Sequence, residues 1–118
     1  MRDDISRLLD ILLACRHALK AVEGFSREQF MADRKTQAAV CMELEIVGEA
    51  ASATSDSFRQ SHGEIPWRAI VGLRHRIVHE YFRLDLPVIW EIVQRDVPDL
   101  VRLVEPLVPP DEEGGTAT

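Results

Sequence analysis

A chain of 118 residues with 46% hydrophobic content supports a single domain built around a single core. No run of eighteen apolar residues is present, which argues against a membrane-spanning helix, and MRDDISRLLD carries two acids where an export signal needs basic residues. A cytoplasmic protein is therefore expected, and the net charge of −6 speaks against tight, non-specific binding to nucleic acid.

The first helix is expected from about Asp3 to Val22, with Ile5, Leu8, Leu9, Leu12, Leu19 and Val22 as its core stripe. Leu13 and Ala14 widen that arc and imply more than one packing partner, while Gly24 fits a C-terminal stop. Ser26 and Gln29 have capping-box spacing, with Phe25 and Phe30 placed as a staple, so a short helical turn should follow. The second long helix should run from about Asp33 to Ser55. Its apolar residues occupy two neighbouring stripes, and Gly48, Ala50 and Ala51 would permit close approach by another helix. Such a helix is central in a bundle, shared with a second subunit, or both.

Residues 52–64 read as a polar connection into which that helix frays. A third long helix is expected from Pro66 to about residue 82, since proline suits a helix start. A turn over 83–87 should lead to a last helix capped near Asp85, and Pro98 should kink or restart it. After residue 107 the pattern VPPDEEGGTAT has no apolar periodicity, so the domain is placed at 1–107 and a disordered tail at 108–118. Cys15 and Cys41 lie inside helical apolar patterns without metal-type spacing and are expected as reduced core residues. With no strand alternation, the fold class is all-α, a small antiparallel bundle of about four to five helices.

The third long helix carries the unusual chemistry. Trp67, Ile70, Val71, Ile77, Val78 and Tyr81 recur at helical spacing, yet the middle of that apolar stripe is Arg74, about 20° from Trp67 on the wheel. A guanidinium there is costly unless it is paired or faces a polar cleft. It is either a structural cation bonded to an acid such as Glu43, Glu45 or Glu49, or a functional group. Arg68, His75 and His79 fall within about 40° of one another on the flank, beside Gly72. Residues 65–83 hold Arg68, Arg74, Arg76 and Arg83 against Glu80 alone, a local balance of +3 on a body that otherwise carries −9. A small basic site of that kind suits a transient RNA substrate. His75 and His79 also have metal-capture spacing, but Glu80 points about 100° away and no third ligand offers itself, so no metal site is expected. His17 and His62 receive no role.

The pattern R-H-x-x-x-H-x-Y at Arg74, His75, His79 and Tyr81 resembles the HEPN superfamily, most closely its HepT-like ribonuclease toxins. ELEIVGEAA at 43–51, IPWRAIVGLR at 65–74 and VIWEIVQRDVPDL at 88–100 resemble the same branch, although His75 stands where Asn is more usual. The resemblance implies a HEPN-like homodimer acting as a metal-independent endoribonuclease, the toxin of a toxin–antitoxin pair, with Arg74 and His79 catalytic and His75 supporting. It further implies that Tyr81 is the site at which a cognate MNT-type nucleotidyltransferase antitoxin transfers AMP.

The residue types agree with that chemistry. Metal-free RNA cleavage needs proton transfer, which a His can perform near neutral pH, and donors for the phosphate, which Arg supplies. Arg68, Arg76 and Arg83 are candidates for further phosphate contacts. Arg74 and His79 nevertheless diverge by about 140° on one straight helix, so either the helix distorts near His79 or two copies contribute to one cleft. The resemblance, to toxins that act as dimers with their motifs at the interface, implies the composite site. The competing reading is a non-catalytic HEPN-like module that binds nucleotide or the nucleotidyltransferase partner.

Overall fold

In a computed structural model, the structure describes residues 3–80 and 85–110, without the side chains of residues 78–80. Local signals start most of its helices. Helix α1 spans Asp4–Ala21, and Asp3 caps it by accepting from the Ser6 N–H at 2.9 Å. Its chain exit passes through Gly24 at φ +80°, a left-handed conformation that glycine adopts freely. Helix α2, Arg27–Ala32, opens with the expected capping box: Ser26 and Gln29 exchange bonds at 2.8 and 3.1 Å. Helix α3, Arg34–Ala53, is capped by Asp33. The Gln37 side chain ties it back to α2 by donating to the Phe30 and Met31 carbonyls at 2.9 and 3.0 Å.

Residues 52–64 differ from the expected polar connection, because Asp56–Ser61 form a helix of their own, α4. The reason is partly tertiary and partly a local cap. The Asp4 carboxylate, 51 positions earlier, accepts from both the Ser55 N–H (2.9 Å) and its hydroxyl (2.7 Å), while Ser55 caps α4 through Phe58 N–H. Phe58 then stacks on His62 at 4.0 Å and meets Trp67 edge-on at 6.3 Å. Trp67 Nε1 donates to the His62 carbonyl at 3.0 Å, so this histidine has a structural place at the entry to the next helix.

That helix, α5, is Trp67–Glu80. Helix α6, Leu86–Glu91, is capped by Asp85, and α7 is Val97–Val104. Between them the chain makes a π-helical turn, Ile92–Asp96, in which the Val97 N–H reaches back to the Ile92 carbonyl. Pro98 has no N–H to give the residue four before it, and the wider turn absorbs that defect without ending the rod. A 3-10 turn, Glu105–Leu107, follows, and Arg16 pairs with Glu105 to hold it against α1.

The described residues form an all-α, small antiparallel helical bundle of the HEPN-like kind, in which α1 lies between α3 and α7 while α5 packs along α3. The core stripe of α1 is Leu8, Ile11, Leu12, Cys15 and Ala18, displaced from the expected one, since Ile5, Leu9 and Leu19 are only partly buried. The small residues Ala14, Cys15 and Ala18 face inward because α1 is clasped by α3 and α7 together. On α3 one apolar stripe, including Val40, Leu44, Val47 and Ala51, is buried. The second exposes Met42 (56%) and Ile46 (37%). Val108, where the tail was expected to begin, is buried, and residues 111–118 of that expectation lie outside the described residues.

Candidate functional site

Trp67, Ile70 and Ile77 set the height of α5 on α3, since all three are buried in the shared core. Arg74 belongs to the same stripe and is half-buried where the two helices meet. The meeting point on α3 is Gly48. A methyl group placed there would overlap Arg74 Cβ and stand 3.1 Å from both Arg74 Cγ and the Ile70 carbonyl oxygen. The first carbons of the arginine therefore lie in the seam that the glycine leaves open.

Arg74 Nε is buried without a hydrogen-bond partner, alone in this among the described side chains. The structural pairing considered above is absent among the described residues. Glu43 instead lies 3.7 Å from His17 Nδ1, and no ion pair joins Arg74 to Glu45 or Glu49. A buried donor without an acceptor costs free energy, so the fold carries this group at a penalty.

His75 and Arg68 are exposed on one flank of α5, about 100° and 120° around the helix from Arg74. Arg76 is exposed on the other flank. The expected basic set is therefore split between two faces. The backbone places His79 in the last turn of α5, about 140° from Arg74, while its side chain lies outside the described residues. Tyr81 and Arg83 lie outside them altogether.

The two flanks of α5 differ in what surrounds them. On Arg76's side runs an open cavity of about 700 Å³ between α5 and α7, lined by Leu44 and Val47 of α3, Ala69 and Leu73 of α5, and Leu100 and Leu103 of α7. Neither Arg74 nor His75 lines it; its walls are mostly apolar, with Arg76, Glu64, Asp96 and Asp99 as their charged groups. On α3, Met42 and Ile46 are exposed, at about 120° and 160° around the helix from Gly48. No described element covers that face. Cys15 and Cys41 are free and buried, and burial pushes their thiols up to about 12 and about 11. Both are core residues rather than nucleophiles. Among the described residues, no three His, Cys, Asp or Glu side chains gather as metal ligands, and no helix is long and apolar enough to cross a membrane.

The seam residue was visible in sequence only as one of several small residues on α3; its partner was not. Comparison with known proteins gives the arrangement its context. Residues 11–107 match the family described as ribonuclease HepT-like. A "Probable ribonuclease HepT" of Thermococcus cleftensis is 40% identical over 95 residues, covering 77% of this chain and 86% of that protein. Two proteins named "Putative RNase" are also similar. The one from Caldanaerobacter subterraneus is 35% identical over 98 residues (83% of this chain, 88% of its own), and the one from Methanocaldococcus jannaschii is 34% identical over 104 residues (88% and 95%). No solved structure matches the chain significantly. The chain belongs to the HepT-like ribonuclease family.

Proposed function

We propose that this chain is a homodimeric, metal-independent endoribonuclease and the toxin of a toxin–antitoxin pair, with Arg74 and His79 as its catalytic residues. The observation that carries the reading is Arg74 itself, a half-buried guanidinium with an unpartnered Nε and no ion pair among the described residues. A structural arginine at that depth would be satisfied by an acid, whereas a phosphate-binding one keeps its donors for the substrate.

In the reaction, a histidine removes the proton of the RNA 2′-hydroxyl, whose oxygen attacks the adjacent phosphorus. The bond to the 5′-oxygen breaks, and that oxygen leaves with a proton. Arg74 stabilises the negative charge that builds on the phosphoryl oxygens. Because Arg74 and His79 of one chain diverge by about 140°, the pair acting on one phosphate comes from two subunits. Met42 and Ile46 of α3 and Arg68 and His75 of α5 are all exposed, and a second subunit closing over them would complete the site. His75 supports the catalytic groups there, and Arg68, Arg76 and Arg83 contribute phosphate contacts. Tyr81 follows His79 by two residues. AMP placed on it by a nucleotidyltransferase antitoxin would add an anion beside the guanidinium and block the substrate phosphate.

The test is cleavage of RNA by the purified protein in EDTA, with size measured at micromolar concentration. Twice 13.4 kDa is expected, together with activity that survives chelation. His79→Ala should lose about 10²–10⁴-fold in rate as a folded dimer, the usual range for a general acid–base group. Wild-type cleavage by both His79→Ala and Arg74→Ala would replace the enzyme with the non-catalytic interaction module.

A further inference from the structure

We infer that Gly48 is a positioning residue for Arg74, an inference that rests on the catalytic reading of Arg74 given above. Glycine in the interior of a twenty-residue helix weakens that helix relative to alanine, so its presence in α3 calls for a local reason. The reason lies across the seam. A Cβ on residue 48 would overlap Arg74 Cβ and crowd Arg74 Cγ and the Ile70 carbonyl, each at 3.1 Å. Cβ is fixed to the backbone, so no rotamer change relieves that overlap, and α5 itself would have to lift or slide. Gly24, Gly63 and Gly72 are different, since a Cβ on any of them meets nothing within 4 Å. Among these four glycines the missing side chain has a steric purpose only at Gly48.

The purpose concerns the guanidinium. With α5 seated on Gly48, the stem of Arg74 descends into the seam and its Nε is stripped of water without gaining an acceptor. A guanidinium whose stem and Nε are fixed in the seam presents its remaining donors to an anionic oxygen without reorganising, provided they sit where the charge develops. Gly48 thus fixes both the depth and the place of the group, while exposed Arg68 and Arg76 hold the RNA backbone independently of the seam. A displacement of about 1 Å at a catalytic group can reduce the rate on the order of 10²-fold.

The experiment compares Gly48→Ala, Arg74→Ala and the wild type by single-turnover cleavage, and by binding of a 2′-deoxy analogue that cannot be cut. Gly48→Ala should remain a folded dimer, bind the analogue within about twofold of wild type, and cleave roughly 10- to 100-fold more slowly. A purely structural defect would not separate rate from binding in this way. If Gly48→Ala cleaves at the wild-type rate while Arg74→Ala is inactive, the positioning role is wrong and the catalytic reading stands. If Arg74→Ala cleaves normally, the catalytic reading falls, and the positioning role falls with it. Should Gly48→Ala fail to fold, the double variant Gly48→Ala/Arg74→Gly must fold, because the Cβ it would strike is gone. A double variant that also fails to fold overturns the inference.

Discussion

Replacing Arg74 by methionine separates the group's contribution to stability from its contribution to catalysis. Methionine keeps an unbranched stem, so Cβ and Cγ can lie in the Gly48 seam as those of arginine do. It removes the buried Nε that has no acceptor. Leaving such a donor unsatisfied costs about 1–3 kcal/mol. Arg74 is only half-buried, so its terminal nitrogens recover part of that penalty from solvent, and the low end of the range applies. The expected result is a gain of about 1 kcal/mol, or roughly 4 °C in Tm for a domain of this size. Cleavage should fall by about 10²–10³-fold, the usual effect of deleting a preorganised donor. Thermal melts at fixed protein concentration, which holds any subunit equilibrium constant, and single-turnover cleavage measure the two quantities. A melting temperature several degrees below wild type would refute the reasoning, because it would reveal a structural partner for the guanidinium. Undiminished cleavage would refute the catalytic half.

Three other perturbations test the frame that carries the site. Phe30 is fully buried and lies 5.3 Å from Trp90, so Phe30→Ala should destabilise by about 3–5 kcal/mol in denaturant titration; a loss below about 1 kcal/mol would contradict its anchoring of α2. The Ser55 backbone N–H and hydroxyl together hold the Asp4 carboxyl below its ordinary range, so its contribution is complete above the unfolded value near pH 4 and lost as pH falls through the folded one. Asp4→Asn should accordingly flatten the acid limb of the stability profile, and superimposable limbs would exclude the link. Cys15 and Cys41, pushed up to about 12 and about 11, should resist thiol reagents at pH 8 in the native protein and react on unfolding; fast native labelling would show one of them to be accessible.

What the sequence determined by itself was local. Asp3, Ser26, Asp33 and Asp85 start their helices by side-chain bonds to residues three positions on, and each is legible from residue type and spacing. The apolar stripe of α5 and the cation in its middle were equally plain, because helical period alone places them. So was the need for accommodation at Pro98, although not that a π-turn would supply it. Tertiary structure decided whatever depended on distant partners. The start of α4 is pinned by a carboxylate 51 residues earlier that closes on Ser55, a bond the 13-residue polar stretch gives no hint of, although the Ser55 cap itself is local. The inward face of α1 was set by being clasped between α3 and α7, which selected Ile11, Ala14 and Ala18 over Ile5, Leu9 and Leu19. Whether Arg74 had an acidic partner could not be read from a wheel with three glutamates within plausible reach. The answer lay in the packing of α5 onto Gly48, because only the approach of two helices determines which side chains can meet and which donor is left without one.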